Sequence, residues 1–85
     1  MVKNNVTLEQ LSVGQKVHYQ PDHYKEFDKY ENGIIKEIPK FADDPESYIG
    51  YNCVRVVYNC NMDWEHYTNY TSALTRIDDL KLGWR

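Results

Sequence analysis

No run of apolar residues in this 85-residue chain is longer than Val56-Val57-Tyr58. A membrane-spanning helix needs roughly 20, so no such helix is expected. The first residues lack the apolar central stretch of a secretory signal, which points to a cytoplasmic protein and makes the sequons at Asn5 and Asn69 chance occurrences. Clustered cations are also missing: ten Lys and Arg are scattered without a run of three, against thirteen Asp and Glu, for a net charge of -3. A surface that tracks phosphates needs gathered cations, so nucleic acid ranks behind protein as a partner. Cysteine is scarce, with only Cys53 and Cys60. Together with His66 and either His18 or His23 they show neither Cys-x₂-Cys nor His-x₃-His spacing, so no zinc or other cofactor is expected. A structural disulfide is disfavoured in the cytoplasm, leaving Cys53 to be read as a small core residue and Cys60 as a loop thiol. The four glycines stand alone, so there is neither a phosphate loop nor a Gly-x-Ser-x-Gly elbow. No nucleophile is paired with an ordered base, and the chain reads as non-enzymatic.

What the chain has in quantity is aromatic residues, 14% of the total, as eight Tyr, two Trp and two Phe. Residues 1–85 make a single domain, because a chain this short cannot build two cores. Such a domain buries only about 60–65% of its unfolded surface, too little to hide every ring. Tyr and Trp left at a surface are the usual anchors of a recognition patch.

The hydrophobic pattern is that of short strands. Gln15-Lys16-Val17-His18-Tyr19 alternates, with Val17 and Tyr19 predicted inward. A second strand is predicted at 32–38, closed by Pro39, and a third at 53–58 with Val54, Val56 and Tyr58 on one face and Cys53, Arg55 and Val57 on the other. A fourth, shorter strand falls at 70–75. Thr7 and Gln10 have the spacing of a capping box and predict one helical turn, after which Leu8, Leu11 and Val13 form an apolar lid. The same spacing at Thr75 and Asp78 predicts a turn running to Leu80. Leu82 and Trp84 would then pack on the end of the sheet. Short strands separated by turn-rich loops, without a long helix, make a mainly β fold: a small antiparallel barrel of four or five strands with short N-terminal and C-terminal helical turns.

Val13-Gly14-Gln15-Lys16-Val17-His18-Tyr19, Asn32-Gly33-Ile34-Ile35, Val54-Arg55-Val56-Val57-Tyr58 and Ala73-Leu74-Thr75 before Asp79-Leu80, with the closing Leu82-Gly83-Trp84, resemble small SH3-like barrel proteins of bacteria and their phages. The resemblance covers most of 11–84 and implies an SH3-like barrel. Related modules of the Tudor and KOW types bind peptides, RNA or large assemblies. The acidic balance of this chain departs from the KOW type.

Specificity in a small barrel usually resides on its loops. Trp64, Tyr67 and Tyr70 are spaced by three, and one tight turn capped by Asp63 would stack the first two rings on one side. They read either as a platform for a peptide carrying Lys, Arg or Pro, or as rings that close the barrel end. Tyr24 in the 20–31 loop joins them as a candidate binding residue. Asp43 and Asp44 form an acidic loop that is either a solvated tip or a guide for a basic partner. The expected function is non-catalytic binding of a protein or peptide, as a bacterial or phage accessory factor. The alternative is a nucleic-acid or ribonucleoprotein-associated module.

Overall fold

The computed structural model describes residues 6–47 and 50–85. The chain start, on which the signal-peptide expectation and the Asn5 sequon rest, lies outside the described residues. Five strands form one antiparallel sheet: β1 (Lys16–Tyr19), β2 (Glu31–Glu37), β3 (Cys53–Val57), β4 (Ala73–Arg76) and β5 (Leu80–Leu82), in the order β4-β3-β2-β1-β5. Among the described residues helix is confined to short segments: α1 (Asp22–Lys25) and 3₁₀ segments at Leu8–Gln10, Lys40–Asp43, Trp64–Asn69 and Ile77–Asp79. No helix among the described residues is long and apolar enough to cross a membrane. The mainly β expectation holds, but the sheet does not close. β4 and β5 lie at its two edges without a ladder between them, although the Ile77–Asp79 turn joins them directly.

Local chemistry explains where elements start and stop. Gln10 Oε1 accepts the Thr7 N–H at 3.0 Å, which fixes the first turn. Gly14, at φ +90°, then reverses the chain into β1, a conformation that side chains with a Cβ rarely adopt. β2 pairs with β1 through Val17 opposite Gly33 and Tyr19 opposite Glu31. It pairs with β3 through Ile34 opposite Val57 and Ile35 opposite Val56, and then bulges before Glu37 meets Arg55. Gly33 is needed where strands crowd: a Cβ there would lie 2.6 Å from Val56 Cγ1 and 2.8 Å from the Val57 carbonyl oxygen.

One face of the sheet carries the main core, in which Val17, Ile35, Val54, Val56 and Leu80 pack with Val6, Leu11 and Ile77, and Leu8, Tyr19, Ile38 and Tyr58 border it. This matches the alternation read in β1 and β3. The sequence expectation fails on the opposite face. Val57 is fully buried and Ile34 and His18 nearly so, and His18 Nδ1 lies 2.8 Å from the Gly83 carbonyl oxygen. The cysteines exchange their expected roles: Cys60 is 1% exposed, whereas Cys53 is only partly covered and its thiol reaches the Tyr51 carbonyl at 3.4 Å. Val13 is 56% exposed and does not join the apolar lid. The fourth strand begins at Ala73 rather than Tyr70, because Tyr70 is spent as the C-cap of the 3₁₀ segment, its N–H bonded back to the Tyr67 carbonyl, and the ladder to β3 starts only where Ala73 meets Val56. The final segment does not end as a sheet cap. Leu82 lies on β5, and the Gly83 N–H donates to the Lys16 carbonyl at 2.8 Å, extending that ladder.

Candidate functional site

The six residues singled out in the sequence fall in three separate places. Trp64, Tyr67 and Tyr70 lie in the 3₁₀ segment Trp64–Asn69 and at its end, a segment kinked at His66 (φ -116°, ψ 32°) that packs on β2. Asp63 stands at the helix start, but its carboxylate does not cap the backbone. It binds forward instead: His66 Nδ1 lies 2.8 Å from Oδ1, and the Tyr70 hydroxyl donates to Oδ2 at 3.0 Å. The bonds from His66 and Tyr70 hold the Asp63 carboxyl below its ordinary pKa, and the same carboxylate raises that of the Tyr70 phenol. Lys36 Nζ donates to the Tyr70 carbonyl at 2.8 Å and ties the segment to β2.

Each ring in this segment has its own partner. Trp64 meets Trp84 with ring centroids 4.8 Å apart at 57°. Trp84 in turn donates from Nε1 to the Gly33 carbonyl at 2.8 Å, and Lys16 Nζ lies 4.6 Å from its ring centroid. The Tyr67 hydroxyl reaches Gly14, lying 3.5 Å from where a Cβ would stand. All three rings are partly buried. Each ring is thus engaged by another part of the chain, and the segment that carries them packs on β2.

Tyr24 sits elsewhere, on α1. Its ring is edge-on to Tyr19 at 5.4 Å, Tyr19 is edge-on to Tyr58 at 5.9 Å, and Lys29 Nζ stands 4.6 Å from the Tyr24 centroid. Tyr58 shares a 2.9 Å hydrogen bond with Thr75 Oγ1. Burial raises the pKa of both Tyr19 and Tyr58, and the nearby carboxylates of Asp79 and Glu31 raise them further. Tyr19, Tyr58, Glu31 and Asp79 line a cleft of about 390 Å³ beside β4.

Asp43 and Asp44 close the Lys40–Asp43 turn and are exposed. Asp44 Oδ1 accepts the Glu46 N–H at 2.9 Å, a local turn bond that orders the loop without gathering other acids. Among the described residues no group of three His, Cys, Asp or Glu side chains is placed to hold a metal ion.

A fourth place was not singled out in the sequence. The β2–β3 loop and β4 enclose a cleft of about 450 Å³ lined by Ile38, Pro39, Phe41 and Leu74, with the Glu37–Arg55 pair (3.5 Å) in its wall. Phe41 is 58% exposed and Leu74 38% exposed. The available signal was a phenylalanine two residues after Pro39, at the start of the loop between β2 and β3. Compared with protein-family models, with curated proteins and with solved structures, the chain finds no match.

Proposed function

We propose that this protein is an SH3-like, non-catalytic module that binds a protein or peptide, of the kind that serves as an accessory factor in bacteria and phages. The SH3-like reading is supported by the strand order β4-β3-β2-β1-β5 with a single 3₁₀ turn joining the two edge strands, so that the sheet curls toward closure. The observation that carries the binding function is the cleft at Phe41. There a large exposed ring, Ile38, Pro39 and Leu74 form an apolar depression on a loop held by a rigid sheet, with a polar rim of Glu37, Lys40 and Arg55. The cations argue against a nucleic-acid surface, since Lys16, Lys25, Lys29, Lys36, Arg55, Arg76 and Arg85 are each engaged within the chain.

The test is enrichment of a random displayed-peptide library on the immobilised domain, followed by affinity measurements on wild type and Phe41→Ala. Enriched peptides should lose at least about tenfold in affinity with Phe41→Ala, as truncation of an interface anchor does. Thermal stability should be unchanged, because the ring is exposed. A library that yields no binder would refute the reading, as would submicromolar selection of a nucleic-acid sequence at physiological salt.

A further inference from the structure

β4 is an edge strand with an identifiable free side. At the end of the β3–β4 ladder the Ile77 N–H donates to the Asn52 carbonyl at 2.8 Å. Antiparallel alternation from that bond makes Thr75 opposite Val54 and Ala73 opposite Val56 the hydrogen-bonded pairs. The Leu74 N–H and C=O and the Arg76 N–H therefore turn away from β3, along the side where the sheet stays open.

Two clefts of different chemistry flank that side, and Leu74 borders both. On one face is the apolar cleft of Phe41 and Ile38. On the other, Tyr19 and Tyr58 stand with Glu31, opposite Tyr19 in the ladder, and Asp79. Both carboxylates line the same cleft as the two tyrosines, so the cleft gathers negative charge beside aromatic rings. Arg76 borders this cleft but turns to Asp78, 3.5 Å away, and no ion pair among the described residues engages Glu31 or Asp79. Carboxylates next to tyrosine faces favour a cationic side chain.

The geometry points to β4 as the docking edge for an extended peptide in which apolar and basic residues alternate, the apolar side chains entering the Phe41 cleft and Lys or Arg entering the Tyr19–Tyr58 cleft. Successive side chains of a strand point to opposite faces, so one added strand serves both clefts at once. This rests on the reading of the domain as a peptide-binding module and adds the mode and the sequence pattern it selects.

The experiment titrates the full chain with a threonine-flanked peptide of alternating leucine and lysine. Its controls are the isomer with all leucines before all lysines and the alternating leucine–glutamate peptide. Binding is followed by amide chemical shifts and hydrogen exchange. The alternating lysine peptide should bind at least about tenfold tighter than either control, and exchange at Leu74 and Arg76 should slow by about tenfold or more. Leu74→Pro, which removes an outward N–H and spares the ladder to β3, should abolish binding. Glu31→Gln with Asp79→Asn should weaken the lysine peptide about tenfold, a check that does not depend on proline being tolerated. Equal binding of the block isomer, or unchanged exchange at Leu74 and Arg76, overturns the proposal. Library-derived peptides that bind at another surface would overturn the β4 edge alone and leave the binding function standing, whereas an unenriched library removes both.

Discussion

Replacing Trp64 and Trp84, singly and together, separates a ring platform from a structural cover. A fully buried large aromatic costs about 3–5 kcal/mol when truncated to alanine, so the partly buried Trp64 should cost about 2 kcal/mol. Trp84 adds a net hydrogen bond to the Gly33 carbonyl and the contact with Lys16, which raises its expected loss to about 3 kcal/mol. The two rings touch, and an aromatic pair is worth about 1 kcal/mol beyond burial, so the double variant should lose about 4 kcal/mol rather than about 5. A domain of this length has a total stability of roughly 4–13 kcal/mol, so the double variant loses between about a third and all of it. Urea titrations at low temperature, followed by circular dichroism for all four proteins, give midpoints and slopes on one scale. Losses below about 0.5 kcal/mol at both positions would refute the cover and restore the exposed platform, while strict additivity would show that the rings do not share an interface.

Four further outcomes follow from the same geometry. Gly33→Ala should cost upward of about 3 kcal/mol, because its Cβ meets Val56 Cγ1 at 2.6 Å and a backbone oxygen that cannot move aside; a near-native urea midpoint would contradict the packing. Native thiol labelling should modify Cys53 much faster than Cys60, and equal rates would show that the cover over Cys60 opens readily. The Asp63 pKa is lower folded than unfolded, so its stabilising effect is present above the ordinary carboxylate value of 3.8 and is lost as pH falls through the depressed one. Asp63→Asn should flatten the acid limb of a melting-temperature profile, and an unchanged limb would refute the linkage. The Tyr58 pKa is raised, so its contribution is present below the phenol's ordinary value of 10.0 and is lost as pH climbs through the folded value. Tyr58→Phe should be less stable at neutral pH, lacking the Thr75 bond, yet lose less stability on going to strongly alkaline pH, as thermal melts would show.

The proposed binding surface was legible only in part. Tyr24 lies next to it, since its ring leads through Tyr19 to Tyr58 and the acid-lined cleft. Trp64 and Tyr67 drew notice by their spacing, but spacing reports which residues share a turn and says nothing of what waits opposite. Trp84, twenty residues further along the chain, takes up one side of Trp64, and Gly14 receives Tyr67. Phe41 belongs to no periodic pattern that would set it apart in its loop, and Leu74, which lines the same cleft, comes from β4 on a distant part of the chain.

By itself the sequence determined the elements whose signals are local: period-two alternation in β1 and β3, the Pro39 stop after β2, and the capped turn at Thr7, all set by backbone stereochemistry and bonds reaching only a few residues. The turn at Ile77 forms too, but without the capping box expected of Thr75 and Asp78: Arg76 stands at its start, and the Thr75 hydroxyl turns to Ala73 and Tyr58. Tertiary structure decided what alternation leaves open. A strand pattern names two faces but cannot say that both are covered, and Val57 is buried although it lies on the face opposite the main core, while Trp84 returns from 51 positions away to bond Gly33 on the neighbouring strand. The same holds for Cys60, hidden although it sits in a loop, and for the sheet itself. Whether β4 and β5 pair depends on how far five strands curl, a sum of small twists and one bulge that no short stretch of sequence encodes.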